Sequence, residues 1–377
     1  MKRMMYLLVA VILVIGLVGC SGSGQPGDPD NGQNVNQGET GNDNKEPNGD
    51  VTIIPRDKDQ EIEVVGIDEL HRGRAWDITP DGKTLLFSWD EDAVEKDSGG
   101  EVRPPAFLYA MNLVDQTIEK LSTGAMNQGF ASYSPDGKLI AFMENEGEVF
   151  FSFVMENRAN ADKVALKGGK GDNILLTAPP LNWSPDGELI AVSEFYMNNG
   201  QIKFFNTKGS EKKVITGNKM TIPWFLDRET LLFIEDRAIV ALDITAADAV
   251  PKQITAGIDY VVSPNKQRLA YIPEAGDELK IKVAALDGNI ELGSVLAEVN
   301  VGWGYQFTWS PDSQYLLYTD GGSVWLLNPE TNVKKELASG MNFILNLHWS
   351  TNNEIIFSAM PADTGDDIVR TYRIELK

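Results

Sequence analysis

The apolar positions of this chain follow one phrase that returns seven times. Two apolar residues stand at alternate positions, a polar turn follows, and a continuous apolar run comes next. The clearest copies of the turn and the run are residues 134–142 and 184–192. Alternating apolar residues are typical of a strand with one packed face, and a continuous run is typical of a strand packed on both faces. The phrase therefore predicts a pair of strands joined by a tight turn.

The turn between the two strands has a constant chemistry. In the clear copies it reads Ser-Pro-Asp-Gly, in which Pro presets φ, Asp favours the third position and Gly accepts a left-handed backbone. We use the residue that opens each turn as its anchor, and the seven anchors are Thr79, Ser134, Ser184, Phe225, Ser263, Ser310 and Ser350. The copies recur roughly every 40 to 55 residues, and each continues into a third apolar strand. This recurrence predicts an all-β fold, a single β-propeller of seven blades, or of six if one eroded copy is not a blade.

The two ends of the array predict how the ring closes. The last copy has two strands and a third at residues 369–376, after which the sequence stops. Residues 61–65 precede the first copy and have the alternation of a strand. If these residues form the outer strand of the last blade, no blade of the ring is left with an incomplete sheet and an open edge. We therefore expect residues 56–377 to form one propeller that is closed by its N-terminal strand.

The first residues have the features of a secretion signal. Lys2 and Arg3 precede an apolar run over residues 4–18. The ending Leu17-Val18-Gly19-Cys20 resembles the lipobox of bacterial lipoproteins. That resemblance implies cleavage after residue 19, lipid on Cys20 (a palmitate-type anchor) and an extracytoplasmic domain held at a membrane. The alternative is an ordinary signal peptide with a chance cysteine.

Composition changes abruptly after the signal. Residues 20–55 are rich in Gly, Asn, Asp, Gln, Ser and Pro, and such a segment cannot bury enough apolar surface to fold. We expect it to be a disordered tether. The formal net charge of −22 argues against nucleic acid and anionic lipid headgroups as partners. It permits a basic partner or cations, although simple solubility explains it as well.

The repeated phrase resembles the TolB-type, WD40-like repeats of TolB and of the propellers of prolyl oligopeptidases. The resemblance is carried by the copies at residues 79–82, 134–137 and 184–187, and it implies the propeller fold. The sequence has no room for the α/β domain that precedes the TolB propeller, or for a hydrolase domain. Neither a Tol–Pal role nor peptidase activity is therefore implied.

Groups suited to catalysis are few. The chain has one cysteine and two histidines, His71 and His348, and it has no Gly-x-Ser-x-Gly elbow. The residues two before the anchors are mostly small or polar and should point toward the axis; the candidate axial set is Asp77, Ser132, Asn182, Thr308 and His348. This set is either a small polar or ion site, or it satisfies backbone and water near the axis. We expect no enzymatic activity, no cofactor and no metal.

Binding is the stronger candidate for the function. Loops that join an outer strand to the next inner strand, or a second strand to a third, share one face. The candidate residues of this binding face are Met126, Met220, Met341, Trp303, Tyr305 and Tyr196, with Asp90, Glu91 and Asp92 on a long acidic loop. They either meet a partner or tuck beneath the loops as satellite core.

We therefore expect a monomeric envelope scaffold that binds a protein or peptide. The alternative is a glycan or small-molecule binder, or a hydrolase- or lyase-type enzyme, that uses the axial residues. A deep pocket in which titratable groups with shifted pKa values converge would favour the alternative. A broad apolar-rimmed surface with a narrow channel would favour the scaffold.

Overall fold

The computed structural model describes residues 62–90, 106–121, 127–145, 151–166, 181–196, 199–274, 278–350, 354–362, 364 and 368–377. All of these lie in the compact unit Asp50–Lys377. The predicted signal, Cys20 and the tether lie outside the described residues. No helix that is long and apolar enough to cross a membrane occurs in the described part of the chain.

In the described part of the chain, twenty-eight strands form seven four-stranded antiparallel sheets, which are the seven predicted blades. Blade 1 contains β2 (Arg74–Ile78), β3 (Thr84–Trp89), β4 (Phe107–Asn112) and β5 (Ile118–Lys120). Blade 2 contains β6 (Asn127–Tyr133), β7 (Leu139–Asn145), β8 (Phe151–Asn157) and β9 (Lys163–Leu166). Blade 3 contains β10 (Leu181–Trp183), β11 (Leu189–Tyr196), β12 (Asn199–Asn206) and β13 (Glu211–Asn218). Blade 4 contains β14 (Thr221–Phe225), β15 (Thr230–Glu235), β16 (Ala238–Asp243) and β17 (Lys252–Ala256).

Blades 5 to 7 complete the ring. Blade 5 contains β18 (Asp259–Val262), β19 (Arg268–Ile272), β20 (Lys280–Leu286) and β21 (Leu292–Asn300). Blade 6 contains β22 (Phe307–Trp309), β23 (Leu316–Asp320), β24 (Ser323–Asn328) and β25 (Val333–Ala338). Blade 7 contains β26 (Met341–Trp349), β27 (Glu354–Pro361), β28 (Arg370–Leu376) and, as its outer strand, β1 (Val64–Arg72).

The predicted closure is confirmed. β1 pairs antiparallel with β28, with Val64 opposite Leu376 and Arg72 opposite Arg370. The bounds of the strand differ from the predicted residues 61–65: β1 begins at Val64 and continues to Arg72, because cross-strand ion pairs support a part of it that reads as polar. Asp68 lies 3.2 Å from the Arg373 guanidinium on β28. Opposite charges that face each other across an antiparallel pair stabilise the ladder.

The core consists of seven apolar clusters, one at each interface between neighbouring blades. The cluster between blades 7 and 1 joins Ile356 to Leu85 and Phe87, so the ring closes through packing as well as through strand pairing. The eroded copies in blades 4 and 7 contribute complete four-stranded sheets. This excludes the six-bladed alternative.

The turn chemistry explains the repeated Ser and Asp. The Ser134 hydroxyl donates to Asp136 Oδ1 at 2.7 Å and accepts the Leu139 N–H at 2.9 Å. Gly137 has a left-handed φ of 71°. In the eroded copies Lys266 and Ser313 take the same conformation, with φ of 61° and 64°.

The anchor of blade 4 requires a correction. The Leu226 N–H donates to the Thr230 carbonyl, as the Ser134 N–H donates to the Leu139 carbonyl in blade 2. The anchor is therefore Leu226 and not Phe225, because this turn is one residue shorter than the clear copies. A one-residue slip moves every side chain of a strand to its other face. Trp224, and not Pro223, consequently takes the near-axis position of blade 4.

Candidate functional site

The near-axis positions form a ring of seven side chains, one from each inner strand. All seven are partly exposed, and they are Asp77, Ser132, Asn182, Trp224, Val261, Thr308 and His348. The residues on either side of Asn182, which are Leu181 and Trp183, are buried. This alternation shows that the inner strands turn one face toward the channel and the other toward the blade interfaces.

A cavity of about 370 Å³ lies on the axis at the end that carries the Ser-Pro-Asp-Gly turns. Four near-axis side chains line it, Asp77, Trp224, Thr308 and His348, together with turn residues such as Pro80 and Gly82. Blade 4 lies opposite blades 7 and 1 in a ring of seven, so a cavity that all three line spans the channel. Its volume is at the lower end of the range for small-molecule sites.

Asp77 is the acidic group of this cavity. Its carboxylate accepts hydrogen bonds from the Ser132 hydroxyl at 3.0 Å and the Tyr133 N–H at 2.8 Å, both on blade 2. Burial raises the pKa of Asp77 to about 6, because loss of hydration disfavours the charged form more than these hydrogen bonds favour it. A carboxyl with this pKa changes its protonation state close to neutral pH.

His348 is the second titratable group. Burial, and after it the nearby charge of Arg74, lowers the pKa of His348 to about 4. The imidazole is therefore neutral at neutral pH. Its Nε2 atom is buried and has no hydrogen-bond partner among the described residues. A buried polar atom without a partner is costly, and it is a position where a ligand or a water would gain a hydrogen bond.

Two members of the predicted axial set have a different role. The Asn182 side chain accepts the Phe225 N–H of blade 4 at 3.0 Å, and Ser132 donates to Asp77 of blade 1. Neither residue lines the cavity. Both act as hydrogen-bonding links between the inner strands of neighbouring blades.

The predicted binding face holds fewer accessible side chains than the sequence suggested. Met220 and Met341 are only 1% and 5% exposed and belong to the core clusters between blades 3 and 4 and between blades 6 and 7. A Cβ built on Gly200 would lie 2.2 Å from the Met220 nitrogen. Met220 is therefore packed directly against the start of β12. Both methionines correspond to the satellite-core interpretation.

The other residues of that face are described unevenly. Met126, Glu91 and Asp92 lie outside the described residues, and Tyr196 is described only through the backbone of β11. Asp90 follows β3 and is partly buried. Trp303 is 76% exposed and is therefore accessible to a partner.

Tyr305 belongs to a site that the sequence did not reveal. Its hydroxyl lies near the Asp259 carboxyl at the start of β18, which accepts the Tyr260 N–H at 2.8 Å. Burial raises the pKa of Asp259 to about 7. The only sequence signal for this pair was a carboxylate within an otherwise apolar inner strand.

No group of three or more His, Cys, Asp or Glu side chains that could hold a metal ion occurs among the described residues. The axial cavity offers one carboxyl and one imidazole, together with hydroxyl and indole groups. Such a set suits hydrogen bonding to an organic ligand better than metal coordination.

Comparison with solved structures places the fold among known propellers. An oligogalacturonate lyase in complex with manganese matches with a TM-score of 0.65 at 12% identity, over 87% of this chain and 96% of the lyase. An oligogalacturonate lyase from Vibrio parahaemolyticus matches with a TM-score of 0.63 at 13% identity, over 86% and 96% of the two chains. TolB from Acinetobacter baumannii matches with a TM-score of 0.50 at 15% identity, over 71% of this chain and 66% of TolB, and WD40-repeat propellers match as well. No protein-family model and no curated protein matches the sequence.

These likenesses agree with the seven-bladed propeller fold and show that it is similar to the fold of TolB and of WD40 propellers. They also correct the expectation that the chain is not an enzyme, because the first two of these structures are lyases. At such low identity the likeness concerns the fold alone, and this fold is shared by enzymes and by proteins without catalytic activity. The manganese of the first lyase has no matching ligand cluster in the described part of this chain.

Proposed function

We propose that this protein is an extracytoplasmic propeller, held at a membrane by lipid on Cys20, whose axial cavity binds a small hydroxylated ligand such as a saccharide unit. The observation that carries the proposal is the convergence of Asp77, His348, Thr308 and Trp224 on one cavity. This is the arrangement that distinguishes a ligand site from a flat docking surface.

The chemistry of the cavity fits hydroxyl groups. Nε2 of neutral His348 can accept a hydrogen bond, and Asp77 can accept one or, when it is protonated, donate one. An indole ring such as that of Trp224 supplies a flat apolar surface for the C–H face of a sugar. The saccharide named for the two lyases of the same fold is consistent with this ligand class.

Asp77 and His348 are also the groups in the cavity that can transfer protons to a bound ligand. Asp77, with a pKa of about 6, is suited to general acid or base chemistry near neutral pH. Product analysis therefore belongs in every binding experiment with saccharides, and a new reducing end or an unsaturated product would identify a reaction.

The binding test uses the two histidines of the chain as spectroscopic probes. A panel of mono- and disaccharides is titrated into the lipid-free domain while the imidazole resonances of His71 and His348 are followed by NMR. We expect a binding saccharide to shift the His348 signal alone, and His348→Gln to weaken its binding about tenfold or more. His71→Gln is the matched control and should bind as the original protein does. Saccharides that leave the His348 resonance unchanged throughout the panel would contradict the proposal.

The membrane anchor has a separate test. Treatment of the producing cells with globomycin, which blocks the lipoprotein signal peptidase, should cause the uncleaved precursor to accumulate. Cys20→Ser should release the domain from the membrane fraction. Unchanged processing together with an unchanged membrane fraction would disprove the anchor.

Binding of an envelope protein or peptide is the second candidate, and Trp303 favours it. Its indole is 76% exposed beside Gly302 and Gly304, and exposed tryptophans are enriched at protein interfaces. Trp303→Ala should abolish retention of a specific envelope protein by the immobilised domain and leave saccharide binding intact. Equal retention by Trp303→Ala and the original protein would reject this surface.

A further inference from the structure

Arg74 is a guanidinium in the channel wall without a carboxylate partner among the described residues. It begins β2, the inner strand of blade 1, and its Nε–H donates to Asn346 Oδ1 on the inner strand of blade 7. Its Cζ atom lies 4.3 Å from the centre of the Trp76 ring. In contrast, the guanidinium of Arg373 lies within 4 Å of Asp68, Glu354 and Glu375.

The enclosure of this charge has an energetic cost. Burial lowers the pKa of Arg74 to about 10, because the guanidinium has lost hydration and no counter-ion restores it. Nε is the nitrogen that bonds Asn346, so the two Nη groups and their four N–H donors make no hydrogen bond with the described residues. The Arg74 side chain is partly exposed, so these donors are open to a ligand, and a guanidinium with little hydration and no counter-ion favours an anion that comes from outside.

Arg74 does not line the axial cavity but lies close to one of its lining residues, His348. Asn346 and His348 lie two residues apart on a regular part of β26, where they pair with Ser358 and Ile356. Their side chains therefore share one face and are separated by about 7 Å along the channel. His348 lines the cavity. Arg74 bonds Asn346, which lies two residues before His348 on β26 and therefore further along the channel. After burial, the charge of Arg74 is the second cause that lowers the pKa of His348, and this is consistent with such a placement.

We propose that Arg74 is an anion-binding residue, and that the ligand of the axial cavity carries a carboxylate that Arg74 binds through its two Nη groups. This inference rests on the proposed function and narrows its ligand class to a hydroxylated carboxylate such as a uronic acid. The planar fork of a guanidinium matches the two oxygens of a carboxylate. Trp76 and Asn346 hold that fork in place before the ligand arrives, which reduces the entropy lost on binding. A dianionic phosphate fits less well, because Asp77 on the same strand repels the second charge.

Occupation of Arg74 should be visible at His348. Arg74 on β2 is the charged group that acts on this imidazole, Asp77 is the other titratable group that lines the cavity, and the lining residues Thr308 and Trp224 carry no charge. A carboxylate on Arg74 cancels the positive charge that helps to keep the pKa of His348 low. Binding of an anion should therefore raise the pKa of His348 from about 4 toward its ordinary value of 6.5.

The first experiment uses acetate as a probe, because it carries the carboxylate alone. The pKa of each histidine is measured by NMR in sodium acetate and in sodium chloride of equal ionic strength. Acetate should raise the pKa of His348 and leave that of His71 unchanged. In Arg74→Gln, which retains an amide to bond Asn346, the pKa of His348 should already be higher without acetate and should not respond to it. Arg74→Lys, which keeps the charge without the fork, should bind acetate several-fold more weakly. A pKa of His348 that is identical in acetate and chloride would overturn the inference.

The second experiment compares glucose with glucuronate, which differ in one carboxylate. Glucuronate should bind about tenfold or more tightly than glucose, and Arg74→Gln should bring the two affinities to within about twofold of each other. If the original protein and Arg74→Gln both bind glucose and glucuronate with equal affinity, Arg74 only links blades 1 and 7 and the inference fails. Binding of the two sugars would in that case still support the proposed function. Weaker binding of both sugars to His348→Gln, with the tenfold preference for glucuronate retained, would separate the hydroxyl site from the anion site.

Discussion

Asp77 and Asp136 show how position decides the behaviour of one residue type. Asp136 lies in an exposed turn, where hydrogen bonds from Lys138 and Ser134 lower its pKa to about 2. Asp77 lies two residues before a turn of the same kind, faces the channel, and has its pKa raised to about 6 by burial. The first carboxylate stabilises a local turn in its charged form. For the second, the charged form is disfavoured by burial, and such raised pKa values are typical of carboxyl groups in functional sites.

This contrast predicts opposite pH dependences for two variants. The folded pKa of Asp77 exceeds its ordinary value of 3.8, so its contribution to stability is complete below about pH 4 and is lost as pH rises toward 6. The unfolding free energy of the original protein should therefore fall relative to that of Asp77→Asn between pH 4 and 6 and stay level above pH 6.

For Asp136→Asn, the difference in unfolding free energy from the original protein should instead shrink as pH falls from about 4 toward 2. Urea unfolding followed by tryptophan fluorescence measures both, and a pH-independent difference for Asp77→Asn would disprove the assignment.

At the scale of elements, the Ser-Pro-Asp-Gly turn is the unit that the chain repeats. The anchor hydroxyl bonds both the Asp side chain and the start of the second strand, as Ser184 does with Asp186 and Leu189. The fourth residue needs a left-handed backbone whether or not it is glycine. The loss of Gly in eroded copies is therefore tolerated, but it costs backbone strain.

Gly137→Ala should destabilise the protein by about 1 kcal/mol. Nothing lies closer than 3.8 Å to a Cβ at this position, so the loss comes from the left-handed φ of 71° and not from a clash. Lys266→Ala is the matched control, because Lys266 already holds a φ of 61° with a Cβ, and it should change stability by less than about 0.5 kcal/mol. Equal losses in the two variants, measured by urea unfolding, would contradict this explanation.

At the scale of the whole molecule, the seam between blades 7 and 1 joins the two ends of the domain. Besides the β1–β28 ladder, the Ala75 N–H donates to the buried Ser358 hydroxyl at 2.7 Å, and the Thr371 hydroxyl donates to the Gly73 carbonyl at 2.9 Å. Arg74 and Asn346 belong to the same seam. The closure of the ring and the proposed anion site therefore depend on one contact surface.

Removal of β1 should open the ring. A chain that begins at Gly73 would leave the β28 edge unpaired. It would also expose the core surfaces that Ile67 and Leu70 of β1 cover. We expect its thermal midpoint to fall by roughly 10 °C or more and the protein to self-associate through the exposed edge. A chain that begins at residue 56 is the control and should remain monomeric. Size-exclusion chromatography with light scattering distinguishes them, and identical behaviour would show that the ladder is dispensable.

Much of this architecture could be read from the sequence because the deciding interactions are local. The turn hydrogen bonds join residues two to five positions apart, as between Ser134 and Asp136 or Leu139, and the apolar periodicity belongs to single strands. The blade count and the closing strand followed from these local signals. The anchor in blade 4 was misplaced by one residue because a shorter turn leaves the same apolar pattern in either register.

The site itself was decided by the tertiary structure. Asp77 meets Tyr133 across 56 positions of sequence, and Arg74 meets Asn346 across 272. The pKa values of Asp77 and His348, the burial of Met220 and Met341, and the lone charge of Arg74 all arise from what the neighbouring blade places beside each group. Local chemistry specifies a blade, whereas only the closed ring determines which side chains share the channel, because hydration and charge in that channel depend on blades that are distant in sequence.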